Sequence, residues 1–261
     1  MTPSAVKKNQ TIKQNLIDQA IDHSKKVKPK SKKLVSTFSR SFCLQIPAED
    51  IAPWKAEELS AISTSLFELA QKREAGVPKI RIYNPDLKKN KWHVNRTVVE
   101  IINTDRPFLI DSIASELLNS NQSIEVLFHP ILNIKRDEKD KLVDIDDVAS
   151  GKKGYGPESY IHIQLENLLS EQEMQELEGK LLEVIDDVIK ATTDWPQMLE
   201  KLEGVIESFG KMPEGLYEDD IDEARLFMQY LHNNNFTLLG YVCDDVKKTK
   251  NAGRKFARVR N

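Results

Sequence analysis

The stretch Thr97-Val-Val-Glu-Ile-Ile-Asn-Thr-Asp-Arg-Pro-Phe-Leu-Ile-Asp-Ser-Ile-Ala-Ser-Glu-Leu-Leu118 constrains the fold of this chain more than any other. Its first half is a β-branched run of strand length. Asn103, Thr104 and Asp105 break that run with turn and cap chemistry, and Pro107 suits the first turn of a helix, where a missing N–H costs nothing. Leu109, Ile113 and Leu117 then fall four apart on one face. The unit is strand, capped loop, amphipathic helix. Such a unit can aim backbone N–H groups at a ligand, or simply start a small core of mixed structure.

With 261 residues, 30% charged and 39% hydrophobic, the chain has room for one good core or two small ones. A net charge of -3 argues against nucleic-acid binding as the purpose of the whole chain. The first forty residues nevertheless carry nine lysines and Arg40 against only Asp18 and Asp22. Residues 25–33 read as a solvated, self-repelling tail, because no aromatic stands among the charges to stack on bases. Cys43 and Cys243, far apart in sequence, exclude a disulfide framework and point to a reducing, cytoplasmic setting. No apolar run reaches the ~20 residues of a membrane helix, and no signal-peptide core is present.

Along the chain, residues 11–24 hold a weak helical pattern, residues 41–46 suggest a short strand, and residues 59–70 an amphipathic helix. Strands are predicted over 79–83, 124–128, 131–134, 142–148 and 159–165, with a bulge or edge position at Pro130. Ser170 and Glu173 form a capping box ahead of a long apolar stripe from Met174 to Ile189. Further helices follow from Trp195 to Phe209 and over 219–232. Residues 236–243 then read as a strand with little after it to pair with.

Candidate chemistry is sparse. His129 and His162 sit on neighbouring predicted strands, but no third ligand is fixed by spacing, so both read as half-exposed strand histidines. Asp144, Asp146 and Asp147 lack the glycine and closing glutamate of a calcium loop. Gly151-Lys-Lys-Gly-Tyr-Gly156 lacks the ending of a phosphate loop, and no Gly-x-Gly-x-x-Gly occurs. Asp111 suits the positive end of a helix, and Ser112 beside it has no histidine neighbour in sequence.

The order strand, helix, strand, strand, helix over 96–190 resembles an ACT domain, a small βαββαβ module that senses amino acids. Its phrase Asn103-Thr-Asp-Arg-Pro-Phe-Leu-Ile110 is similar to the ACT loop, with Phe108 where a glycine is usual. A fuller resemblance is to the N-terminal region of the large bacterial NAD-dependent glutamate dehydrogenases. It rests on Asp105-Arg-Pro-Phe-Leu-Ile-Asp-Ser112, His129-Pro130, Glu158-Ser-Tyr-Ile-His162, Asp194-Trp195 with Met198, and Asn235-Phe-Thr-Leu-Leu-Gly-Tyr241. Arg106 replaces the family's methionine.

The resemblance implies an α+β fold with an ACT-like, ferredoxin-like βαββα antiparallel sheet core and flanking helices. The expected organisation is a basic, flexible tail over 1–37 and a strand-and-helix segment over 38–90. An ACT-like domain over 91–190, a helical linker over 191–235 and the start of a truncated further module over 236–261 follow. The implied role is a non-catalytic regulatory and assembly segment of an enzyme that deaminates L-glutamate to 2-oxoglutarate with NAD. That enzyme's catalytic residues have no positions here, and NAD is implied for the full-length family only. The expected partner is the catalytic remainder of a glutamate dehydrogenase, or a second copy, with no membrane and with nucleic acid disfavoured. Two alternatives stay open. Asn103, Thr104, Asp105 and Arg106 can bind an amino-acid effector, with Arg106 meeting its carboxylate, and the basic tail can contact nucleic acid.

Overall fold

The computed structural model describes residues 3–88, 90, 92–146, 151–209, 218–236, 238, 240, 244–245 and 257–258. It divides into two units, Met1–Val188 and Ile189–Asn261.

The first unit is built around strand β6, Gly156–Leu165, which pairs antiparallel on both sides. One neighbour is β2, Val98–Thr104; the other side is shared by β3, Ile124–Phe128, and β4, Ile131–Arg136. β3 and β4 follow one another along β6, interrupted only at His129 and Pro130, where proline cannot donate to the ladder. β1, Lys79–Tyr83, covers the outer edge of β2, and β5, Leu142–Asp146, that of β4. At the start of β4 the Gln45 amide imitates a strand rung: Nε2 donates to Ile131 O at 2.6 Å and Oε1 accepts from Ile131 N at 2.9 Å.

β2 and β6 are buried on both faces, which a half-solvated sheet would not be. On one face Val98, Ile102, Leu132, Ile134 and Tyr160 join a core supplied by N-terminal helices. These are α1, Pro3–Val27; α2, Lys32–Gln45; α3, Ala48–Ile51; and α4, Ala56–Ala70. The Phe38 ring stands edge-on to Phe67 at 5.6 Å and to Tyr160 at 5.0 Å, stitching α2 to α4 and to the sheet. The other face carries Val99, Ile101, Ile161 and Ile163, all buried. The unit's remaining described helices to cover it are α5, Leu109–Asn119, and α6, Glu171–Thr193. Their stripes Leu109, Ile113, Leu117 and Leu177, Leu181, Ile185 are buried. The result is a mixed α+β unit with an antiparallel sheet between two helical layers.

Three expectations are corrected. Residues 3–37 are not a solvated tail: Ile17, Ala20, Ile21 and Val35 lie in the core. Lys25 pairs with Asp22 at 2.9 Å and Lys28 with Glu68, so these charges sit on packed helices. Residues 41–45 are the end of α2, with Ile46 its extended cap, rather than a strand, because Val35, Phe38, Phe42 and Cys43 recur at helical spacing. His162 is fully buried rather than half-exposed. The capping box before α6 stands as expected, with Glu173 accepting from Ser170 N at 2.7 Å.

In the second unit, α7, Trp195–Ser208, begins with Pro196 in its first turn. α8, Glu218–Tyr230, leads into a wider π-type turn, Leu231–Asn235. Two short strands, β7 Asp244–Asp245 and β8 Ala257–Arg258, pair antiparallel. Most of the expected strand over 236–243, with Cys243, lies outside the described residues. Among the described residues no helix is long and apolar enough to cross a membrane.

Candidate functional site

The loop from β2 into α5 is where the opening motif meets the rest of the sheet. Asp105 is fixed at both ends, its N–H donating to Pro157 O at 3.0 Å and its Oδ1 accepting from Ser159 Oγ at 2.6 Å. Phe108 caps α5 at φ 65, a left-handed conformation that favours glycine, and the residue is 39% exposed. The helix therefore starts at Leu109, later than Pro107 suggested.

Asn103 and Ser159 are register partners, and Asn133 lies opposite Pro157. Ile102, Tyr160 and Leu132, their chain neighbours, face the N-terminal helices, so the alternation of strands turns Asn103, Ser159 and Asn133 to the α5 side. Asn103 is fully buried, yet neither its amide oxygen nor its nitrogen has a partner. His129 is half-buried with Nε2 unpaired. Burial pushes its imidazole below the ordinary value, against the opposing pull of Asp105 and Asp111. Of the expected effector residues, the structure thus gathers Asn103 and Asp105 with His129 and Ser159. Thr104 turns to the opposite face, within 3.4 Å of Arg73 Nη2, and Arg106 is partly exposed.

That opposite face holds two buried carboxylates. Glu158 accepts from Arg136 Nε at 2.7 Å and Nη2 at 2.8 Å, from Arg73 Nη2 at 2.8 Å and from Tyr160 Oη at 2.9 Å. Burial alone would raise its pKa; the two arginines outweigh that and hold it below the ordinary carboxylate range. Glu100, fully buried, sits in register between Arg81 and His162. Arg81 Nε donates to it at 3.1 Å and Tyr83 Oη at 3.1 Å. His162 Nδ1 stands 3.6 Å away, beyond hydrogen-bond range. Glu100 also lies below the ordinary value, because His162 and Arg81 outweigh its desolvation.

Chemically, both acids are spent on fixed partners. Ser159 bonds directly to a carboxylate with no imidazole between, which is not a nucleophile–base pair. Asp144 accepts from Tyr155 Oη and Asp146 pairs with Lys152 at 3.0 Å. Among the described residues no group of three histidine, cysteine, aspartate or glutamate side chains is placed to hold a metal ion.

Residues 38–181 match the family model described as glutamate dehydrogenase, ACT1 domain. The chain belongs to that family. It is 30% identical over 225 residues to an NAD-specific glutamate dehydrogenase of Halomonas elongata, covering 85% of this chain and 14% of that protein. It is 28% identical over 220 residues to the NAD-specific glutamate dehydrogenase of Pseudomonas aeruginosa, covering 84% of this chain and 14% of that one. The chain therefore spans about a seventh of the length of these relatives.

The ACT1 match includes both buried carboxylates and the whole β2–α5 corner. Sequence reasoning missed Asn133, Ser159, Glu100 and Glu158. Glu100 and Glu158 lie on the face that the N-terminal helices cover, whereas Asn133 and Ser159 are brought to the α5 face by the strand register alone.

Proposed function

We propose that this chain works as a non-catalytic regulatory and assembly segment of an NAD-dependent glutamate dehydrogenase, acting through contacts with that enzyme's catalytic remainder or with a second copy. What carries the reading is the ACT1 family match, joined to the commitment of the buried acids to structural partners. Glu158 is forked by two arginines and Glu100 by Arg81, so neither is free to move a proton. Among the described residues the sheet is antiparallel throughout and no glycine-rich turn opens a helix, so these residues do not suit NAD. The test is a sedimentation measurement of the chain alone, then mixed with a glutamate dehydrogenase lacking its matching segment. A stable complex, or a defined homo-oligomer of the chain, supports the reading. A monomer that ignores the truncated enzyme overturns it.

A second reading has its own observation. The buried, unpartnered amide of Asn103 near the end of β2 favours a small polar effector at the corner of Asn103, Asp105 and His129. An amino acid suits it, its ammonium meeting Asp105 and its carboxylate the helix N-terminus, with Arg106 at the rim. Calorimetric titration with a panel of amino acids tests this. Silence across the panel, or binding unaltered by Asn103→Ala, removes it.

A further inference from the structure

Gln45 stands at the outer rim of the sheet, and strand register shows what it occupies. The pairs Leu127↔Ile163, Phe128↔His162 and Ile131↔Ser159 keep one register along β6, so no residue is gained or lost across His129 and Pro130. Tyr160 N–H donates to Pro130 O at 2.9 Å, so residue 130 turns its carbonyl toward β6. Backbone direction alternates along an antiparallel ladder. Val126 and Phe128 therefore turn inward too, while Leu127, His129, Ile131 and Asn133 turn their N–H and C=O groups outward.

Of these four, Asn133 is covered by β5, opposite Asp146. Ile131 is taken by Gln45, whose amide donates to the Ile131 carbonyl and accepts from its N–H, as a neighbouring strand would. Among the described residues nothing pairs with the outward groups of Leu127 and His129, and a bulge between Ile124 and Val126 breaks the register on the far side. The free rim is thus two residues long, and so short an edge discourages strand addition. Gln45 is itself steadied by α1: Lys13 Nζ donates to the carbonyls on either side of it, to Leu44 O at 2.7 Å and to Ile46 O. The two bonds to Ile131 are exposed to solvent and so modest in net strength.

We infer that Gln45 is a strap that keeps this edge closed to a second copy of the chain. Its release frees Ile131 and leaves Leu127, His129 and Ile131 as successive outward residues between the bulge and β5. That set is self-complementary. An antiparallel, two-fold pairing about His129 sets Leu127 against Ile131 of the other copy and satisfies all six outward backbone groups of each. With the strap in place, only the pair at His129 remains in that register. The inference concerns this edge alone and does not depend on the contacts proposed above.

The test is oxidative cross-linking of the full chain carrying Cys243→Ser and His129→Cys, with and without Gln45→Ala. Pairing about residue 129 brings the two new thiols onto residues whose Cα atoms are about 5.5 Å apart, within disulfide reach. Disulfide-linked dimer forms at least about tenfold faster with Gln45→Ala than without it. Leu127→Cys in place of His129→Cys sets the two cysteines about 13 Å apart along the strands, and its cross-linking stays slow. In the otherwise unaltered chain, Gln45→Ala strengthens self-association in sedimentation at least about tenfold. Its circular dichroism matches the parent's, so loss of fold cannot imitate the result. Equal cross-linking with and without Gln45→Ala overturns the inference. So does cross-linking at position 127 as fast as at 129, or unchanged sedimentation of the Gln45→Ala chain.

Discussion

Arg136 holds Glu158 by two parallel bonds, Nε to Oε1 at 2.7 Å and Nη2 to Oε2 at 2.8 Å, deep beneath the hairpin that β4 and β5 form. Arg136 also donates to Ala70 O and Asp140 O, each at 3.0 Å, and so pins the end of α4 and the hairpin turn to the same carboxylate. Arg73 adds the segment after α4, donating to Glu158 at 2.8 Å and to Val77 O at 3.0 Å. One acid on β6 thus fastens three separate stretches of chain.

Removing that acid leaves two buried or nearly buried guanidinium groups without their counter-charge. Glu158→Gln is expected to cost about 3 kcal/mol in urea unfolding, the usual penalty for breaking a buried pair from one side. A loss under about 1 kcal/mol would mean that water reaches the arginines and that the clamp is not structural.

Acid should loosen the same fold. Glu100 and Glu158 both have folded-state pKa values below the ordinary one, so their contribution is complete above an unfolded-state value of about 4.3. It is lost as pH falls through the lower, folded-state values. Urea midpoints measured from pH 7 downward should stay level, as far as these groups are concerned, to about pH 5 and then decline. Glu158→Gln should flatten part of that decline. Equal slopes in the variant and the parent would contradict the assignment.

Cys43 lies within α2, fully buried, and burial pushes its thiol up to about 12. In a Cys243→Ser background, a thiol reagent at pH 8 should react with the native chain at least about a hundredfold more slowly than with the urea-unfolded chain. Fast native labelling would show that the packing of α2 against α1 and α4 opens readily.

Phe108 at φ 65 pays the left-handed cost of a residue with a Cβ while leaving its ring partly in solvent. Phe108→Gly is expected to be neutral or stabilising, by up to about 1 kcal/mol in thermal unfolding. A clear loss would show that the ring's packing outweighs the backbone strain.

Much of this architecture was legible in the residues. Alternation located β1, β3 and β6, the Ser170–Glu173 box located the start of α6, and the break at Asn103–Asp105 located the loop into α5. The N-terminal helices were not, and the cause is specific. Lysines crowd residues 25–33, but their long stems let the charges reach Asp22, Glu68 or solvent while Ile17, Ala20 and Ile21 turn inward. With those helices read as a tail, His162 reads as a half-exposed strand residue rather than a buried one. The Asn103 corner was half visible. Asn103 and Asp105 come from the motif itself, while Ser159, Asn133 and His129 arrive from strands that only the sheet register brings alongside.

The central claim is that this segment serves a glutamate dehydrogenase without performing its chemistry. The most direct measurement is NADH formation, followed by absorbance, from glutamate and NAD in the presence of the purified chain alone. The expected rate equals that of buffer at every chain concentration. A rate that rises in proportion to the chain would contradict the account.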